Sequence, residues 1–176
     1  MDANDDPVTQ ILNDPRFSGQ PITWEATPET YDKIRHDWLT HVSSEEKLFT
    51  PPITEGEFEA EMKTMMSVFT DDCVMELVET GERWDGQGGA KEFYRTFLSS
   101  FTAMQWHPLS IVVGPQGVLD VANMTSTLLK PFAGFDRVGD EVNLQWVIHF
   151  PWVQEAGKFS GETVYSIRAL STSELS

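Results

Sequence analysis

EVNLQWVIHFPWVQEAGKFSGETVYSI, Glu141 to Ile167, decides the fold: two long runs of strand-forming residues flank a turn at QEAGK and read as a β-hairpin. Its odd member is His149. An apolar run of Trp146, Val147, Ile148, Phe150 and Trp152 surrounds a single imidazole, which is either a satisfied core histidine or the working group of an apolar pocket. Working outward from this pair, QWHPLSIVV from Gln105, a GPQG turn and VLDVANMTSTLL supply two more strands, so four strands run in succession with turns suited to antiparallel neighbours. Pro108 and Pro151 belong at an edge or a bulge, since neither can donate to a ladder.

Upstream the period changes to that of helices. Thr27 and Pro28 open a first helix, in which Tyr31, Ile34, Trp38 and Val42 recur at helical spacing, predicted over Pro28 to Val42 and ended by the LFTPPIT break. Thr54 and Glu57 match a capping box for a second helix, with Phe58, Met62, Met65, Met66 and Phe69 as its apolar stripe, ending near Phe69. A short strand over Cys73 to Val78, another around Arg83, and a third helix through Ala90, Phe93, Tyr94, Phe97, Leu98 and Phe101 follow. Three helices and a strongly curved antiparallel sheet make an α+β fold in which the helices cover one face. The domain is expected over residues 27–170, with an N-terminal arm over 1–26 and a flexible tail over 171–176.

The composition bounds the function. A chain of 176 residues suits one domain, and 28 acidic against 12 basic side chains give a formal charge of −16. That charge opposes binding to nucleic acid or an anionic membrane. No run approaches the ~20 apolar residues of a membrane span, and MDANDDPVTQ is too acidic for a secretory signal. The lone Cys73 excludes an internal disulfide framework, so a cytoplasmic protein is expected. Six Trp and eleven Phe exceed the needs of a minimal core, and the surplus points to a cavity or an interface.

The order of elements, together with FTDDCVMEL at Phe69 to Leu77, WDG running through GQGGAKEFY into the third helix, and the spacing from Phe150 to Gly157-Lys158 before GETVY, resembles the nuclear-transport-factor-2-like superfamily. Within it the chain is similar to SnoaL-like polyketide cyclases and ketosteroid isomerases, from about Tyr31 to Leu170. The resemblance implies a cone-shaped sheet wrapped around a helix, a hydrophobic pocket, commonly a homodimer, and proton-transfer chemistry without a cofactor. It places the family's strand-end base at Leu77, its last-strand carboxylate at Ile167 and its acid position at His149. In related isomerases the first helix bears the oxyanion tyrosine, a role that here falls to Tyr31.

Each candidate carries two readings. His149 is a general acid or base, or a core histidine bonded to Tyr165 or to a carbonyl. Tyr165 donates to a substrate oxygen, or buries its ring with the hydroxyl at a rim. Alternation puts Val147 on the face of His149 and turns Trp146 and Trp152 away. Tyr31 and Trp38 line a pocket mouth, or simply pack. Trp84 and Trp106 wall a cavity, or fill the core. Leu77 and Ile167 complete the expected apolar lining. His36, His41 and His107 have no companions at metal-ligand spacing, so no metal is expected. The chain is therefore read as a cyclase, isomerase or dehydratase acting on an apolar carbonyl compound, or else as a non-catalytic ligand-binding or dimeric interaction domain of the same fold.

Overall fold

The computed structural model describes residues 25–49 and 54–171. Helices α1 (Pro28–Phe49) and α2 (Glu55–Met66) precede strands β1 (Phe69–Leu77) and β2 (Glu82–Asp85). Helix α3 (Gly86–Ser100) then leads into β3 (Phe101–Gly114), β4 (Gly117–Leu128), β5 (Glu141–Val153) and β6 (Lys158–Ala169). The fold is α+β, with one open sheet in the order β2-β1-β6-β5-β4-β3. Four of its pairings are antiparallel, as expected, and the β1–β6 pairing is parallel, which makes the sheet mixed. The proposed arm and tail lie outside the described residues, apart from 25, 26 and 171.

Two helix ends differ from the pattern reading, and each has a local cause. Helix α1 continues past Val42 to Phe49 because its buried stripe includes polar residues: Ile34, Trp38, His41, Ser44 and Leu48 are all buried at helical spacing. An apolar count stops where His41 and Ser44 stand. Helix α2 starts at the capping box, where the Thr54 hydroxyl accepts from the Glu57 N–H and the Glu57 carboxylate accepts from the Thr54 N–H at 2.9 Å. It stops at Met66, and the Gln87 side-chain amide collects the carbonyls of Met66, Phe69 and Thr70 at 3.1, 3.3 and 3.1 Å. Phe69 is thereby freed to open β1.

The sheet faces are set by bulk. On β5 the even positions Leu144, Trp146, Ile148 and Phe150 are buried, while Val147, His149 and Pro151 on the odd face are only half-buried. Trp146 therefore faces the core, and the facing expected for the hairpin is reversed. Both faces of β5 are apolar in sequence, so composition alone leaves the choice open; the larger rings pack under the helices. On β6 the register shifts by one between Val164, which pairs with Ile148, and Ser166, which pairs with Val147. Tyr165 is the extra residue of this β-bulge and is 49% exposed, whereas Val164 and Ile167 both turn inward.

Candidate active site

Under the helices the sheet encloses a chamber of about 510 Å³, within the range typical of small-molecule sites. Trp38, Val42 and Glu45 reach it from α1, Phe93 and Phe97 from α3, and Trp106 from β3. Asp120 and Ala122 come from β4, Trp146, Ile148 and Phe150 from β5, and Glu162 and Val164 from β6. Glu46, Gln105, His107 and Pro108 also line it and are exposed, so they mark its open end. The indole N–H groups of Trp38, Trp106 and Trp146 are buried without a hydrogen-bond partner among the described residues.

The acidic groups are placed by strand alternation and by the length of α1. Asp120 pairs with Ile148, Ile148 pairs with Val164, and Glu162 lies two residues before Val164, so both carboxyls project from the inner face. They sit two strands apart, roughly 10 Å in backbone spacing. Behind Glu162, the Tyr94 hydroxyl of α3 donates to its Oε1. His41 of α1 brings Nε2 to 3.2 Å from the same oxygen, and Glu45 Oε2 lies 3.7 Å from that nitrogen. The imidazole is clasped by the rings of Phe150, Phe69 and Tyr94 at 5.2, 5.4 and 5.8 Å.

Burial dominates the electrostatics. It pushes the Glu162 carboxyl up to about 8, helped by the charge of Asp120 and opposed by the bond from Tyr94. Burial likewise lifts Asp120 to about 6, and it raises Glu45 well above the ordinary carboxyl range, with Glu162 and Asp120 adding to the effect. The same desolvation drives His41 down to about 3, so its imidazole is neutral near pH 7. Tyr94 is raised well above its ordinary value, first by burial and then by Glu162 and Glu45. Burial thus holds the proton of Glu162 to higher pH than that of Asp120, a separation that lets two carboxyls take opposite proton-transfer roles.

Of the residues singled out from sequence, Trp38 and Trp106 line the chamber. His149, Val147 and Tyr165 lie on the far side of the sheet, where His149 and Tyr165 stack at 6.4 Å. Tyr31 is half-buried on the opening turns of α1 and is not part of the lining. Trp84 packs on Phe93 with ring centres 5.1 Å apart, also outside the lining. Leu77 and Ile167 border a separate void of about 10 Å³, with Val164 common to both cavities. The sequence reading weighed His41 only as a metal ligand and Tyr94 only as helix packing, and it assigned no role to Glu45, Asp120 or Glu162. The available signal was a single acid within each of two apolar strands, VLDVA for Asp120 and GETVY for Glu162. No group of three or more His, Cys, Asp or Glu side chains among the described residues forms a metal site, and no helix among them is long and apolar enough to cross a membrane.

The family model described as a SnoaL-like domain matches residues 55–161, more than half of the chain. Among solved structures the chain is similar to a candidate SnoaL-like polyketide cyclase from Jannaschia sp. CCS1, at 14% identity and TM-score 0.62, covering 81% of this chain and 90% of that one. It is also similar to an NTF2-like protein from Burkholderia xenovorans LB400, at 11% identity and TM-score 0.57, covering 78% and 90%. A SnoaL-like polyketide cyclase from Agrobacterium tumefaciens strain C58 matches at 9% identity and TM-score 0.54, covering 81% and 94%. Identities this low establish the shared fold. No curated protein matches the sequence.

Proposed function

We propose that this chain, which belongs to the SnoaL-like domain family, moves protons on an apolar, carbonyl-bearing small molecule held in the aromatic chamber. Glu162 acts as the acid that donates to the carbonyl oxygen, and Asp120 as the base that takes a proton from the neighbouring carbon. The product is an enol, from which cyclisation, isomerisation or dehydration proceeds. The single observation that supports this reading is the placement of two carboxyls, Glu162 and Asp120, on one apolar inner wall, where burial raises both.

The test is solvent-deuterium uptake next to the carbonyl in a panel of mono- to tetracyclic ketones, followed by mass spectrometry. Uptake is expected for at least one ketone, with a loss of about a hundredfold or more in Asp120→Asn and in Glu162→Gln. Undiminished uptake in either variant removes that residue from its role. Ketones that raise the melting temperature without exchanging would instead support a non-catalytic binding protein. That second reading is favoured by Leu77, which occupies the strand-end position of the usual base and lies outside the chamber.

We also propose that a second copy of the chain covers the outer sheet face. Val112 and Leu119, paired across β3 and β4, are 55% and 37% exposed, and Leu119 continues to His149 and so to Tyr165. Two exposed aliphatic side chains that continue into the stacked rings of His149 and Tyr165 form a surface that association would bury.

A further inference from the structure

His41 does not line the chamber, yet it is 1% exposed and lies against the carboxyl read above as the acid. Both groups that reach Glu162, the Tyr94 hydroxyl and His41 Nε2, meet the same oxygen, Oε1. None of the hydrogen bonds within the described residues engages Oε2, while the residue lines the chamber. The two oxygens are therefore inequivalent: one is anchored to the helices and the other is left for the cavity.

The tautomer of His41 follows from the same contacts. Its Nδ1 is buried with no hydrogen-bond partner among the described residues. Were the proton on Nδ1, a buried N–H would stand unpaired, which folded proteins avoid more strictly than an unpaired acceptor. Placing it on Nε2 sets that N–H 3.2 Å from Glu162 Oε1, with Glu45 Oε2 at 3.7 Å, beyond hydrogen-bond distance. With Oε1 accepting from the Tyr94 hydroxyl and facing the His41 N–H at 3.2 Å, a carboxyl proton is placed on Oε2.

We infer that His41, as the neutral Nε2–H tautomer, is a positioning residue that acts with Tyr94 to lock Glu162 Oε1 and aim its acidic Oε2–H into the chamber. The inference rests on the reading of Glu162 as the acid. Its consequence is directional: the proton is delivered from one defined oxygen, without a search between the two. The titratable groups facing His41 are Glu162, Glu45 and Tyr94, and Asp120 acts on the first two through its charge.

The experiment is nitrogen-15 NMR of the histidines, with His41 assigned by its loss in His41→Gln, alongside carbon-13 NMR of labelled glutamate carboxyls, with Glu162 assigned by Glu162→Gln. For His41 a protonated Nε2 and a bare Nδ1 are expected across the neutral range. In His41→Leu the Glu162 titration moves upward, because one donor to the ionised form is lost, and in His41→Gln, whose amide can still donate, it returns toward the wild-type midpoint. A protonated Nδ1, or a Glu162 midpoint unmoved in His41→Leu, overturns the inference. If His41→Leu does not fold, the wild-type tautomer and the His41→Gln titration decide. Ketone exchange is read separately: the expected spectra without exchange would leave the positioning intact and remove the proposed function.

Discussion

His41 Nε2 stands 3.2 Å from Glu162 Oε1, joining the middle of α1 to the sixth strand through a fully enclosed polar contact. Removing the imidazole takes away the polar neighbour 3.2 Å from the carboxyl and empties a space bounded by Phe69 and Phe150. His41→Ala is expected to destabilise the fold by about 2–4 kcal/mol, read as a lower urea midpoint at unchanged slope.

Ketone exchange should follow a bell against pH. The rising limb tracks ionisation of Asp120 through about 6, and the falling limb tracks loss of the Glu162 proton through about 8. Asp120→Glu is expected to move the rising limb and leave the falling limb in place. A profile flat from pH about 5 to about 9 would contradict the two-carboxyl scheme.

Stability should fall as pH rises across the same region. Glu162 is raised from 4.5 to about 8, so the folded state holds a proton that the unfolded chain releases. Its stabilisation is complete below 4.5 and lost as pH climbs through about 8. His41 has the opposite sign: lowered from 6.5 to about 3, it costs stability as pH drops below 6.5. Glu162→Gln should flatten the alkaline side of a urea-midpoint curve and leave the acid side.

Gly161 immediately precedes Glu162 at φ +130°, and a Cβ there would fall 1.9 Å from the Val74 carbonyl oxygen. The register pairs these two residues across the parallel β1–β6 ladder, so no side chain can yield. Gly161→Ala is expected to cost about 3 kcal/mol or more, with accelerated amide exchange in β1 as its mark.

On the outer face, Leu119→Asp puts a charge between Val112 and His149. If a second copy covers this strip, sedimentation velocity will show the wild type as a dimer and the variant as a monomer. A wild type that is monomeric at micromolar concentration would dismiss that association.

The fold was legible because its signals are local. Thr54 and Glu57 announce a helix start by themselves, and the succession of strands from Gln105 follows from turns and period. The site was less legible because it is built from exceptions to those patterns. His41 and Ser44 occupy the buried stripe of α1 as polar residues, so the apolar count ended the helix before Glu45. On β5 either face could pass for the core, and the choice was settled by packing Trp146 and Phe150 beneath the helices. Tyr165 and Ile167 are two apart and would share a face, but the bulge at Tyr165 separates them. The contact between His41 and Glu162 exists only through topology, and no spacing rule reaches so far along a chain.

The place of β6 in the sheet gives this distance a consequence for folding. β6 is inserted between β1 and β5, and it carries Glu162, whereas the groups that hold that carboxyl come from α1 and α3. Under the proposed function, the pocket lacks its proton donor until β6 has docked between β1 and β5, so activity would report the insertion of that strand.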